Sequence, residues 1–249
     1  MANDTKERIL NAALELFSRN GYAGTNIREL SASLGLVKSG VYKHYESKEA
    51  IWNALLDQMV AYYGEHFGSA EHLPPVPDSL EGLVQMTMRM VDFTVHDEKV
   101  VKTRKLLSIE QFRDDRAREL ATKHFLTGLT QMFTRVFTSM MDRGLIRRDD
   151  PGMLAFAYTA PISALIHLCD REPEKVPRAM AQIEAFSRHF IATYGSSALR
   201  ESAPPGSTGE RPAAGEGECP WENGAEWRRQ PALPAKESAS DAEPRRKND

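Results

Sequence analysis

The chain has 249 residues, with 32 basic against 35 acidic side chains and a formal net charge of −3. That length holds one large or two small domains with a sizeable core, and the charge balance excludes a protein that is basic throughout. Binding to nucleic acid must therefore rest on a local cluster of Lys and Arg, since phosphate affinity follows clustered charge rather than totals. The two cysteines, Cys169 and Cys219, lie too far apart for metal or redox spacing and read as reduced thiols. Met1-Ala-Asn-Asp-Thr-Lys opens into a polar helix with no apolar signal segment. No run approaches the roughly 18 uninterrupted apolar residues of a membrane span, so a cytoplasmic protein with no membrane partner is expected.

A first helix is expected from Asp4 or Thr5 to Asn20, with Ile9, Leu10, Ala13, Leu14, Leu16 and Phe17 on its apolar face and Gly21 as its stop. Asn26 caps a second helix, and Glu29 stands three residues on, where a capping box would reach back. Ile27, Leu30 and Leu34 share one face of it, and Gly35 ends it. A short third helix follows, with Val41 and Tyr45 pointing inward at i, i+4 spacing. Lys38, Ser39, Gly40, Tyr42, Lys43 and His44 are left on its outward faces. Small residues at a helix start, surrounded by lysines, a tyrosine and a histidine, suit a DNA groove. Ser47 can cap a fourth helix, which carries Ile51, Leu55, Leu56 and Met59 to about Phe67.

Gly68, Pro74, Pro75 and Pro77 break the chain into a loop over 68–78. The next helix starts near Asp78 or Ser79 with Leu83, Met86, Met90 and Phe93, and Asp97 caps another with Leu106, Leu107 and Phe112. One long helix is expected from about Asp115 to Arg143, with two apolar rows too wide for a surface helix, and Gly144 ends it. Asp150-Pro151 places a cap before a first-turn proline, and Pro161 should bend the helix that runs to about Asp170. The last helix spans about Lys175 to Tyr194. Residues 196–249 turn to Pro, Gly, Ala, Ser, Glu and Arg without period, the composition of a disordered tail. Trp221 and Trp227 are its large apolar residues, either incidental or a short binding segment.

Over its first 50 residues the chain resembles the tetracycline-repressor (TetR) family of transcription regulators. The resemblance is carried by Arg8-Ile9-Leu10, Ala13, Leu16-Phe17, Gly21-Tyr22, Thr25, Ile27-Arg28-Glu29-Leu30, Gly35-Leu36, Lys38, Tyr42, Tyr45 and Ser47-Lys48-Glu49. It departs at Val37, where many members carry a Ser that caps the recognition helix; Val cannot make that bond. The resemblance implies an all-α, two-domain protein: a three-helix helix-turn-helix head over 1–50, and a helical effector-binding and dimerisation domain over 51–195. It implies that Tyr42 and Lys48 hold backbone phosphates, while Lys38, Ser39, Gly40, Lys43 and His44 reach base edges. Thr25 and Arg28 would add flanking phosphate contacts, with a structural salt bridge the other reading of Arg28.

The resemblance further implies a homodimer on a palindromic double-stranded DNA operator, and repression relieved by a small hydrophobic or aromatic effector. An activator, or an effector-independent regulator signalled through a protein partner, keeps the same head. Phe156, Ala157, Ala160, Ala164, Leu165, Leu168, Ile183, Phe186 and Phe190 are the interface candidates, or simply core. Met86, Met90, Phe93, Phe112, Phe125, Met132, Phe133, Tyr158 and His167 are the pocket candidates, although stripes at helical spacing also fit plain core. No catalytic role, metal site or cofactor is expected. The seven histidines show no paired ligand spacing, and no Gly-rich phosphate loop, nucleophile elbow or Cys pair occurs.

Overall fold

A computed structural model describes residues 2–67 and 75–196. The expectations for 68–74 and for the tail, with Cys219, Trp221 and Trp227, lie outside the described residues. Ten α-helices carry the described chain, which holds no strand. The helix-turn-helix comprises α1 (Ala2–Gly24), α2 (Ile27–Ser33) and α3 (Lys38–Tyr42), with α4 (Lys48–Phe67) leading out of it. The body adds α5 (Leu80–His96), α6 (Glu98–Glu110), α7 (Asp115–Thr122), α8 (Gly128–Asp142), α9 (Pro151–Arg171) and α10 (Val176–Tyr194).

The caps expected from sequence form. Asn26 Oδ1 accepts from Glu29 N at 2.9 Å, Ser47 Oγ from Ala50 N at 2.9 Å, Asp97 Oδ1 from Val100 N at 2.9 Å and Asp150 Oδ1 from Met153 N at 2.7 Å. The reciprocal half of the capping box does not: Glu29 Oε1 instead accepts from Asn20 Nδ2 at 3.3 Å. Asn20 reaches it because the helix proper stops there, Gly21 turning the backbone with φ 73°. Val37 is the N-cap of α3, extended and 71% exposed, and offers no side-chain cap.

The expected long helix over 115–143 is interrupted. Lys123–Thr127 forms a π-turn between α7 and α8, where Gly128 N–H bonds the Lys123 carbonyl. Apolar spacing on either side is that of an α-helix, so one inserted residue leaves no mark in the pattern. Gly128 permits the turn: a Cβ there would stand 2.7 Å from Lys123 O.

Two apolar clusters hold the helices. The first joins Ile9, Phe17, Leu30, Val41, Trp52 and Leu55 of the head and α4 to Leu106 and Leu107 of α6 and Ala117 and Leu120 of α7, so packing runs across residue 50. The second joins α5, α8, α9 and α10 through Leu83, Phe133, Phe137, Tyr158, Ile183 and Phe190. Burying aromatic and aliphatic side chains on this scale is the main force ordering the body. By length and composition α9 is the one described helix apolar enough to cross a membrane, and 39% of that stretch is buried in the protein.

Candidate functional site

The helix-turn-helix presents one uncovered face. Val41 of α3 is fully buried in the head core, which turns Lys38, Ser39, Tyr42 and Lys43 to solvent, with Gly40 and His44 half-exposed beside them. The Lys38 ammonium lies 5.6 Å from the centre of the Tyr42 ring, within range of a cation–π contact. Arg28 on α2 is exposed as well. Neither Arg28, Lys38 nor Lys43 has a carboxylate partner among the described residues, which removes the salt-bridge reading of Arg28 here. Exposed cations without carboxylate partners are free to meet phosphate oxygens.

Of the two further residues expected at phosphates, Thr25 faces inward and Lys48 is half-buried. Thr25 is 2% exposed, and its hydroxyl donates to Gly21 O at 3.1 Å. The Lys48 ammonium donates to the Tyr22 carbonyl and sits 4.1 Å from the centre of the Tyr22 ring. Burial lowers its pKa, against the opposing effect of Glu110. From the other side, the buried Glu110 of α6 accepts from Tyr22 N at 2.8 Å. The peptide groups of Tyr22 are thus held by Lys48 at the start of α4 and by Glu110 of the body. Neither anchor was visible in spacing, because the partners are 26 and 88 residues away from Tyr22.

The body holds a half-open cavity of about 800 Å³ between α4, α5, α6, α8, α9 and the π-turn. Of the expected lining, Met90, Phe125, Met132, Phe133 and His167 are on its wall. Four residues are not. Met86 belongs to the second core cluster, and Phe112 is 86% exposed in the turn after α6. Phe93 stacks on His66 at 4.7 Å. Tyr158 is fully buried and bonds Thr87 and Ser187, each at 2.9 Å. The cavity also gains Tyr63, Phe67, Arg104, His124, Ser163 and Ile166, which no stripe pointed to. Polar residues on apolar helix faces were the signal for Arg104 and His124.

Arg104 is fixed at this wall by Asp170, with Nε 2.9 Å and Nη2 2.6 Å from its two carboxylate oxygens, and by the Thr94 carbonyl at 2.6 Å. Burial alone would raise the Asp170 pKa, but Arg104, aided by His167, holds it below the usual carboxylate value. His124 stacks on Tyr63 with ring centres 4.1 Å apart. Burial, with the Lys123 ammonium adding to it, lowers the His124 pKa to about 4, and burial lifts the Tyr63 phenol to about 12. Both rings are neutral at pH 7.

Of the interface candidates, α9 exposes Phe156, Ala157 and Ala164, with Ala160, Leu165 and Leu168 half-buried, and Met153 extends the stripe. Phe186 on α10 is half-buried, whereas Ile183 and Phe190 are 1% and 4% exposed and belong to the second core cluster. Periodicity assigns them a face, and that face turns toward α5, α8 and α9 of the same chain.

A short exposed helix packed on α2 and carried on a helical body is a helix-turn-helix arrangement. Residues 9–55 match the family of bacterial regulatory proteins, tetR family. The biofilm operon icaADBC negative transcriptional regulator IcaR of Staphylococcus epidermidis is 32% identical over 97 residues, 39% of this chain and 50% of its own. The chain spans half or less of the curated relatives it matches first. SmeT, repressor of the Stenotrophomonas maltophilia multidrug efflux pump SmeDEF, matches in fold with a TM-score of 0.56 at 19% identity, covering 82% of this chain and 96% of its own. A SmeT–triclosan complex gives 0.57 at 20% identity over 83% and 98%. A regulator from Saccharomonospora viridis in complex with choline gives 0.59 at 18% identity over 75% and 97%. Over residues 9–55, then, the chain is similar to the tetR family, and over most of its length it shares the fold of these solved regulators.

Proposed function

We propose that this regulator is a cytoplasmic homodimeric repressor that occupies a palindromic operator and is released by a small apolar or aromatic effector. Residues 1–50 act as the DNA-reading head and 51–195 as the effector and dimerisation body. The observation that carries the reading is the bare cationic face of α2 and α3: Arg28, Lys38 and Lys43 are exposed without acidic partners. Tyr42 and Arg28 hold phosphates, while Lys38, Ser39, Gly40, Lys43 and His44 face base edges. The helix of α3 is only five residues long, so one head reads few base pairs and a second head supplies the other half-site, about one helical turn away.

The exposed stripe Met153, Phe156, Ala157 and Ala164, with the half-buried Ala160 between them, supports pairing of α9 with its twin. Small residues let helices approach closely, and an uncovered apolar stripe of this kind marks an association surface. This pairing is the preferred account of the apolar α9, ahead of insertion into a membrane. The cavity supports the effector role, and an effector acts only if it binds the DNA-free state more tightly than the DNA-bound one. Relatives point the same way: IcaR is a negative regulator, SmeT is a repressor, and SmeT forms a complex with triclosan.

The test is footprinting and in-vitro transcription on the DNA upstream of the protein's own gene. Two protomers per protected site and falling transcript with rising occupancy are expected. Rising transcript would replace repression with activation, and one protomer per site would remove the dimer.

A further inference from the structure

One residue of the cavity wall, His124, carries a polar atom with nothing to bind. His124 Nε2 is shielded from solvent and has no hydrogen-bond partner among the described residues. Native interiors rarely leave such an atom unpaired, and when they do a ligand or water is the usual explanation. The atom is also held in place. The imidazole lies against Tyr63 at 4.1 Å and 29°, and its backbone belongs to the π-turn that Gly128 permits. Short π segments inside α-helices occur frequently at functional sites.

The rest of the wall restricts what can meet that nitrogen. No Asp or Glu lines the cavity, so a cationic ligand finds no counter-charge. The buried cation of the wall, Arg104, is already committed to Asp170 and the Thr94 carbonyl, so an anion finds no free buried guanidinium. Lys123 and Arg135, the other lining cations, stand exposed. Phe67, Phe125, Met132 and Phe133 supply aromatic and polarizable surface. A neutral imidazole nitrogen is a donor or an acceptor according to tautomer, and a hydroxyl satisfies either because it can do both. A carbonyl or an ether satisfies only one.

We propose that the cavity takes an uncharged aromatic compound bearing a hydroxyl group, with the hydroxyl bonded to His124 Nε2 and the rings among Phe67, Phe125, Met132 and Phe133. This rests on the effector reading above and specifies its chemistry. His124 is then the residue that separates hydroxylated from plain aromatic ligands, and the apolar wall supplies affinity common to both.

The experiment is calorimetric titration of the full chain with four probes of one ring size: naphthalene, naphthol, naphthoate and naphthyl-trimethylammonium. The variants are wild type, His124→Phe and His124→Gln. Naphthol is expected to bind wild type about tenfold more tightly than naphthalene. His124→Phe keeps the stack on Tyr63 and should reduce that preference to about threefold or less, with naphthalene still bound; His124→Gln should retain part of it. Naphthoate or the ammonium compound binding best would overturn the hydroxyl proposal and leave the cavity an effector site. So would naphthol and naphthalene binding alike, or a naphthol preference untouched by His124→Phe. Binding of none of the four would overturn both this proposal and the effector reading. Should His124→Phe not fold, proton–nitrogen correlation spectra of the wild type decide: the His124 Nε2 resonance moves with naphthol and not with naphthalene, and equal movement refutes the contact.

Discussion

Replacing Glu110 with alanine removes the body's hold on the end of the first helix. The Glu110 side chain is buried within α6, and its Oε1 accepts from Tyr22 N at 2.8 Å. Gly21, just before, has φ 73°, and a Cβ there would stand 2.8 Å from the same oxygen, so the backbone passes as close as a glycine allows. A hydrogen bond to a charged group contributes about 1.5–3 kcal/mol, and leaving the Tyr22 N–H unpaired adds to the loss, for a total of about 2–4 kcal/mol. In a folded region of this size each kcal/mol moves Tm by about 2–4 °C, so a fall of roughly 5–15 °C is expected. Glu110→Gln keeps an acceptor without the charge and should lose about half as much. Thermal melts of the two variants give the magnitudes, and hydrogen exchange at the Tyr22 amide gives the place. Melting of Glu110→Ala within about 0.5 kcal/mol of wild type, or unchanged protection at Tyr22, would refute the reasoning.

Three further outcomes follow from the same structure. Val37→Ser supplies the missing cap of α3 at a position 71% exposed. It should stabilise by about 0.5–1 kcal/mol, read as a higher urea midpoint, and no gain would mean the helix start is already satisfied. Gly128→Ala places a Cβ 2.7 Å from the Lys123 carbonyl and should destabilise by about 1–3 kcal/mol; equal or greater stability would show that the π-turn does not depend on glycine. His124, with a folded pKa of about 4 against about 6.5 unfolded, resists protonation only in the folded state. Stability should therefore be full above pH 6.5 and decline by about 2–3 kcal/mol as pH falls toward 4. His124→Phe should flatten that part of the curve, and an unchanged slope would sink the assignment.

The head was largely legible because its signals are local. Asn26, Ser47 and Gly35 sit within a few residues of what they cap or end, and Val37 announced an uncapped helix directly. What escaped depends on distant partners. Thr25 has a residue type that suits a phosphate, yet its hydrogen goes to Gly21 O in the buried turn, and the contact of Lys48 with Tyr22 O joins residues 26 apart. In the body, apolar period identified the helices but not which side meets which neighbour. Ile183 and Phe190 were therefore left between interface and core, and they pack inside the chain. Phe112 was placed in helical phase although α6 ends at Glu110. The π-turn was silent for a related reason: one inserted residue rotates the wall that carries His124 without breaking the apolar rows on either side.

The most direct test of the central claim is selection of bound sequences from a random DNA pool with the full-length protein. A dimeric reader predicts one enriched two-fold-symmetric site, its half-sites about one helical turn apart. Lys43→Ala should change the preferred bases within each half-site, and Tyr42→Phe should weaken every sequence alike. Salt-sensitive binding without enrichment of any sequence would contradict the claim that the face of α2 and α3 reads an operator.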